Sequence, residues 1–175
     1  MSKMRRYALN KSKYLLDPEY ERLIYILKSF LHKDHRNCIL FFLALNTGAR
    51  AQELLNLEKK DFDSYEETVF IRGLKGSNDR ELPLPSWLFR EVQHLFALEE
   101  RIFPFTYNRL LKIWQLYRPV HKKFHSLRHT FAIRLYKKTR DLRLVQVALG
   151  HRNITNTMIY ADYIYSQQEL RRLIL

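Results

Sequence analysis

A chain of 175 residues that is 46% apolar and 14% aromatic, with only 4 Gly and 5 Pro, has enough material for one packed core and is neither disordered nor low-complexity. Lys and Arg outnumber Asp and Glu by 31 to 18, a net charge of +13, which points to a polyanion such as nucleic acid; a merely basic surface is the plain alternative. The single cysteine, Cys38, excludes an internal disulfide and fits a reducing cytoplasm; no apolar region follows the basic N-terminus as in a signal peptide, and the longest apolar run, Cys38 to Leu45, is far short of a membrane span.

Residues 1–16 read as a basic N-terminal arm or loose lead-in. Its Lys3, Arg5 and Arg6 are expected on a DNA backbone, with plain solvation as the alternative. A helix is expected from Asp17 as N-cap, with Pro18 at its first position and Leu23, Ile26, Leu27, Phe30 and Leu31 on its core face. The nearly all-apolar His35 to Asn46 suits a buried central helix, interrupted at Thr47 and Gly48 before a helical pattern resumes over Arg50 to Leu57. The period then changes. Thr68 to Ile71 and the segment ELPLP flank the turn-rich GLKGSNDR, predicting an antiparallel hairpin with Lys75 near its tip. Ser86 is the expected cap of a helix over Trp87 to Leu98, Ile102 and Phe103 suggest a further strand, and Thr106 caps a helix through Tyr117 that Pro119 stops. The last third reads as helical: Ser126 to Lys138, Leu142 to Leu149 closed by Gly150, Ile154 to Tyr163, and a tail carrying Leu170, Leu173 and Ile174. The fold class is therefore α+β, mostly helical with a small antiparallel sheet.

Four segments stand out together: TGARAQEL with Arg50, GLKG with Lys75, HSLRH with His125 and Arg128, and LGHRNITNTMIY with His151 and Tyr160. Their order, and the nine-residue step from His151 to Tyr160, resembles the catalytic signature of the tyrosine recombinases, the phage-integrase family. The likeness implies a recombinase catalytic domain over residues 17–165 and a C-terminal helical tail over 166–175 that docks on a neighbouring protomer; packing on its own domain is the alternative. It implies a site of Arg50, Lys75, His125, Arg128, His151 and Tyr160, supported by Glu53. The implied activity is site-specific cutting and rejoining of double-stranded DNA through a 3′-phosphotyrosyl link, leaving a free 5′-hydroxyl, with no metal, ATP or other cofactor. Relatives of this kind work as homo-tetramers on DNA, so a monomer in solution that assembles there is expected. The separate N-terminal DNA-clamping domain of typical members does not fit within the first 16 residues.

The residue types suit that chemistry in their own right. In-line attack on a phosphodiester spreads negative charge over the nonbridging oxygens, so a metal-free site needs several fixed cations and donors. Arg50 and Arg128 bring always-charged forks that grip two oxygens, and Glu53, one helical turn from Arg50, is placed to brace it. A tyrosine hydroxyl titrates near 10 and attacks only when a neighbour takes its proton or cations stabilise its phenolate. His125 is placed as that proton acceptor, or as a donor to the phosphate, and His151 follows a helix-stopping glycine that aims its ring. Lys75, by the resemblance, protonates the departing 5′-oxygen. Arg72 and Arg80 flank the hairpin and are expected at backbone phosphates, or simply solvated. Tyr163 and Tyr165 stand at the wrong spacing from His151, and His129 reads as structural. HSLRH sets two histidines four apart but has no acid between them, so no zinc site is expected. Two other functions use the same residues: a nicking and closing enzyme of type IB topoisomerase character, and a DNA-binding accessory or regulatory protein that does not cut.

Overall fold

The computed structural model describes residues 9–161 and 167–175. Lys3, Arg5 and Arg6 of the arm, and the alternative tyrosines Tyr163 and Tyr165, lie outside the described residues. The class is the expected one, helices packed around a small antiparallel sheet. Helix α1 (Asp17–Phe30) is capped one residue earlier than expected: Glu19 reaches back, its Oε2 accepting the Leu16 N–H at 2.9 Å. Asp17 therefore sits inside the first turn, where a negative charge suits the positive end of the helix. Helix α2 (His35–Thr47) is the central element; every residue from Cys38 to Leu45 is buried, so its apolar run needs no single stripe. It ends where Gly48 takes a left-handed φ of 61°, and a Cβ there would lie 2.4 Å from the Phe131 ring.

Helix α3 (Ala51–Leu55) is shorter than the expected Arg50 to Leu57, because Arg50 serves as its N-cap and Asn56 as its C-cap. A single 3₁₀ turn, Lys59–Asp61, leads into strand β1 (Phe62–Asp63), too short to leave a periodic signal. It pairs with β2 (Thr68–Ile71), which pairs in turn with β3 (Arg80–Pro83); Val69 stands opposite Leu82 and Ile71 opposite Arg80. The strand expected at Ile102 and Phe103 does not form. Both residues are fully buried, and the segment makes only a single bridge between Arg101 and Glu58, so core packing accounts for its apolar pattern.

Helix α4 (Ser86–Gln93) has Pro85 at its cap and stops short of Leu98, while α5 (Tyr107–Tyr117) has the expected Thr106 cap, whose Oγ1 accepts the Arg109 N–H at 3.2 Å. Helices α6 (Ser126–Thr139), α7 (Leu142–Leu149), α8 (Thr155–Met158) and α9 (Gln167–Ile174) follow. Helix α8 is one turn, well short of the expected Ile154 to Tyr163. The main core joins α2 to α1, α4, α5 and β2. A satellite cluster of Tyr14, Ala132, Ile133, Val145, Leu149 and Tyr160 packs α6 against α7 and the segment after α8. The end of the lead-in, expected to be loose, is packed: Tyr14 belongs to this cluster and Leu15 to the main core. Leu15 N–H donates to Thr130 Oγ1 at 2.8 Å, Lys122 Nζ donates to the Tyr14 carbonyl at 2.8 Å, and Tyr14 and Leu15 are each 3% exposed. Burying those two side chains offsets the entropy of ordering the segment. Among the described residues no helix is long and apolar enough to cross a membrane.

Candidate active site

Arg50 occupies the cap of α3, and Glu53 fixes it there. Glu53 Oε2 accepts the Arg50 N–H at 2.8 Å while Oε1 lies 3.4 Å from the guanidinium, whose Nη1 also donates to Ser77 Oγ. The guanidinium opens into a cleft of ≈ 900 Å³ that Lys75 and His125 also line, with Gln52, Tyr107 and Lys123 among its other walls. Lys75 is exposed at the tip of the β2–β3 loop in a left-handed conformation, φ 46°, just before Gly76 at φ 83°. A lysine held there carries backbone strain of the kind that collects at functional loops. The loop beneath it is docked. Gly73 N–H donates to Asp79 Oδ1 at 2.8 Å, Asn78 N–H to the Gly150 carbonyl at 2.8 Å, and Ser77 bridges to His151.

Two buried arginines lie behind the cleft, and their partners set them apart. Arg128, 2% exposed, donates from Nη1 to the Gly48 carbonyl at 2.7 Å and from Nη2 to the Leu149 carbonyl at 2.8 Å. Both acceptors stand at helix C-termini, the negative ends of α2 and α7, so the guanidinium is held by dipoles and keeps its full charge. Burial, then the charges of Arg50 and Arg80, push its pKa down to about 9, which leaves it protonated at neutral pH. Arg80 has the opposite arrangement and corrects the expectation of a DNA contact. Alternation along β3 turns it inward, where it forms a fork with Glu53, Nη1 to Oε1 at 3.2 Å and Nη2 to Oε2 at 2.8 Å, and donates from Nε to the Ala148 carbonyl at 2.8 Å. Glu53 thus serves Arg80 more closely than Arg50. Burial alone would raise the Glu53 pKa, but the hydrogen bonds and charge of Arg80 hold it below the usual carboxylate range. Arg72 is likewise engaged within the fold, against Asp61 and the Asn56 carbonyl, where a backbone phosphate was expected.

His151 follows Gly150, which takes φ 70° and leaves no room for a side chain: a Cβ would meet the Asn78 carbonyl at 2.6 Å. Its Nδ1 lies 2.9 Å from Thr157 Oγ1, and desolvation, then Arg128 and Arg50, push the imidazole down to about 4. His125 is likewise pushed down to about 4 by desolvation, then by Arg128 and Arg50, although one side of it opens to solvent. Both rings are neutral at pH 7 and able to accept a proton. Tyr160 is close enough for its hydroxyl to act on the Arg128 charge, but it does not line the cleft. It is 1% exposed in the satellite cluster, and its hydroxyl lies 2.8 Å from Nδ1 of His129, a buried residue whose ring stands edge-on to His125 with centroids 4.8 Å apart. Sequence reasoning read His129 as structural, without a partner for it, and did not single out Ser77. The one available signal for His129 was its position one helical turn after His125 on α6. Among the described residues no group of three His, Cys, Asp or Glu side chains is arranged to hold a metal ion.

A cationic cleft beside a buried arginine that hydrogen-bonds only to backbone carbonyls, with a tyrosine close by, is an arrangement for an anionic phosphate ester. Residues 13–167 match the model of the phage integrase family, and the chain belongs to that family. It is 31% identical to the tyrosine recombinase XerA of Thermococcus onnurineus over 79% of this chain and 56% of that protein. It is 33% identical to the tyrosine recombinase XerC of Staphylococcus aureus over 94% of this chain and 62% of that protein. The chain thus spans 56% and 62% of the length of these two relatives. The crystal structure of the XerH site-specific recombinase bound to difH substrate, a pre-cleavage complex, is similar with a TM-score of 0.73 at 26% identity, over 99% of this chain and 57% of that one. The catalytic domain of bacteriophage HP1 integrase shares the fold, with a TM-score of 0.67 at 22% identity over 94% of this chain and 95% of that one.

Proposed function

We propose that this chain carries the catalytic machinery of a site-specific DNA recombinase that cuts and rejoins double-stranded DNA. The observation that carries the reading is the convergence of Arg50, Lys75 and His125 on one cleft, with Arg128 beside it held by two backbone carbonyls in place of a carboxylate. In this scheme Arg50 and Arg128 stabilise the nonbridging oxygens, with His151 as a further partner. Tyr160 Oη attacks phosphorus and passes its proton to His125; the P–O5′ bond breaks, and Lys75 protonates the departing 5′-oxygen. The product is a 3′-phosphotyrosine and a free 5′-hydroxyl. Attack by the 5′-hydroxyl of a second strand reverses the steps and regenerates the tyrosine, so no step draws on a metal or a nucleotide. The scheme assigns the reacting phosphate to the cleft, and Tyr160 must leave its buried position to reach it.

Four copies on DNA would let two duplexes exchange strands, from a chain that is a monomer in solution. Exposed apolar residues support the contact between copies: Leu144 and Val147 on α7, Met158 on α8, and Leu173 and Ile174 on α9. Cys38, a fully buried free thiol, fits the cytoplasm.

The test is covalent capture. Bound sequences are selected from randomised duplexes, and nicked copies of the selected site are incubated with the protein and run under denaturing conditions. A protein–DNA adduct is expected, with at least a thousandfold loss in Tyr160→Phe. No adduct on a duplex that the protein demonstrably binds would leave the accessory-protein reading in its place. Recombinant product from two duplexes separates strand exchange from nicking and closing.

A further inference from the structure

In the resting chain the Tyr160 hydroxyl is buried and shielded from water, its residue is not among those lining the cleft, and one of its partners is an imidazole that the reaction scheme does not use. We propose that His129 is a positioning residue that holds the Tyr160 hydroxyl docked in the satellite core, so that strand attack begins with the loss of this hydrogen bond. The inference rests on Tyr160 being the nucleophile for its meaning, but the docked state itself is independent of DNA.

Three observations carry it. First, the contact is 2.8 Å between His129 Nδ1 and the Tyr160 hydroxyl, with the two residues 7% and 1% exposed, so water does not compete for either group. Second, the direction of the bond follows from the surroundings. Desolvation, then the neighbouring His125 and Arg128, push the His129 imidazole down to about 3, so the ring is neutral, its Nδ1 lone pair accepts, and the tyrosine O–H donates. The hydroxyl is thereby kept protonated and occupied. Third, the ring of His129 is set by that of His125, edge-on with centroids 4.8 Å apart, and His125 lines the cleft. A phosphate that draws on His125 acts on the neighbour that orients the acceptor, which connects filling of the cleft to release of the tyrosine.

Nitration of tyrosines by tetranitromethane, mapped by peptide mass spectrometry on the full chain without DNA, tests the hold. Tyr65, 91% exposed, reports that the reagent is active, and Tyr117, buried at 7% exposure in the main core, reports general loosening. In the wild type Tyr160 should be protected. His129→Leu removes the acceptor at similar volume, and Tyr160 should nitrate on the order of tenfold faster, the effect of one shielded hydrogen bond, while Tyr117 stays protected. His129→Asn sets an amide oxygen where Nδ1 stood and should restore protection to within about threefold of wild type. The inference is overturned if His129→Leu leaves Tyr160 protected, if Asn and Leu accelerate it equally, or if Tyr117 becomes reactive together with Tyr160. Because nitration needs no DNA, these outcomes are separate from the adduct assay, in which the strand-cutting reading stands or falls.

Discussion

Replacing Glu53 with alanine should destabilise the fold far more than it alters any surface. The carboxylate accepts both arms of the Arg80 fork and the Arg50 N–H, with its side chain fully buried and that of Arg80 only 2% exposed. Removing it strands the Arg80 charge among β3, α3 and α7 with only the Ala148 carbonyl as acceptor, since a guanidinium does not give up its proton. Breaking a buried pair from one side costs about 3–5 kcal/mol, which for a chain of this size lowers the melting temperature by roughly 6–20 °C. Urea denaturation followed by circular dichroism gives the free energy directly. The companion variant is Glu53→Leu with Arg80→Met, which removes both charges at similar volume and should return stability to within about 1 kcal/mol of wild type. A Glu53→Ala cost below about 1 kcal/mol, or a double variant as unstable as the sum of its parts, would refute a tightly coupled ion pair at this position.

Acid should destabilise the chain well above the carboxylate range. His129 and His151 are held neutral, at about 3 and about 4, whereas the unfolded chain protonates near 6.5. Their contribution is fully present above pH ~6.5 and is lost as pH falls toward 4, with a slope of about 1.4 kcal/mol per pH unit for each ring. Glu53, depressed in the fold, adds a loss in the same direction at lower pH. Urea titrations between pH 7 and 4.5 measure the slope; His129→Asn should remove one proton's share of it, and an unchanged slope would contradict a neutral His129. Gly73→Ala should affect activity more than stability. A Cβ there would lie 2.3 Å from the Ser77 carbonyl oxygen and 2.6 Å from that of Asn78, forcing the loop that presents Lys75 to shift. Adduct formation on the nicked duplex should fall at least tenfold with a change of only a few degrees in melting, on the scale of local loop effects. Adduct formation at the wild-type rate would argue against a fixed loop.

What was legible in the sequence was local. The central helix announced itself as an apolar run, and Thr106, Gly48 and Gly150 marked helix ends by their own chemistry. The positions of Arg50, Lys75 and His125 came from motif order, and folding brings those three to one cleft. What failed was decided by distant partners. Whether Arg80 faces DNA or the interior depends on strand register and on a carboxylate 27 residues away. His129 looks like any helical histidine until a tyrosine 31 residues later lies against it. Tyr14 and Leu15 follow a basic stretch with no periodic pattern around them, but Thr130 on α6 and the two apolar clusters draw them into the core. Ile102 and Phe103 were misread for a related reason: an apolar pair records burial, whatever its backbone does.

Arg128 joins the Gly48 carbonyl to the Leu149 carbonyl, and each of these stands two residues before another member of the site, Arg50 on one side and His151 on the other. One side chain therefore works as a spacer that gauges the distance between two loops 101 residues apart in the chain (151 − 50). A lysine there would keep the charge but, lacking a planar fork, could not span both carbonyls in the same geometry. An inactive Arg128 variant consequently cannot be read as the loss of a single cation. It would report the collapse of a spacing on which three of the six motif residues depend.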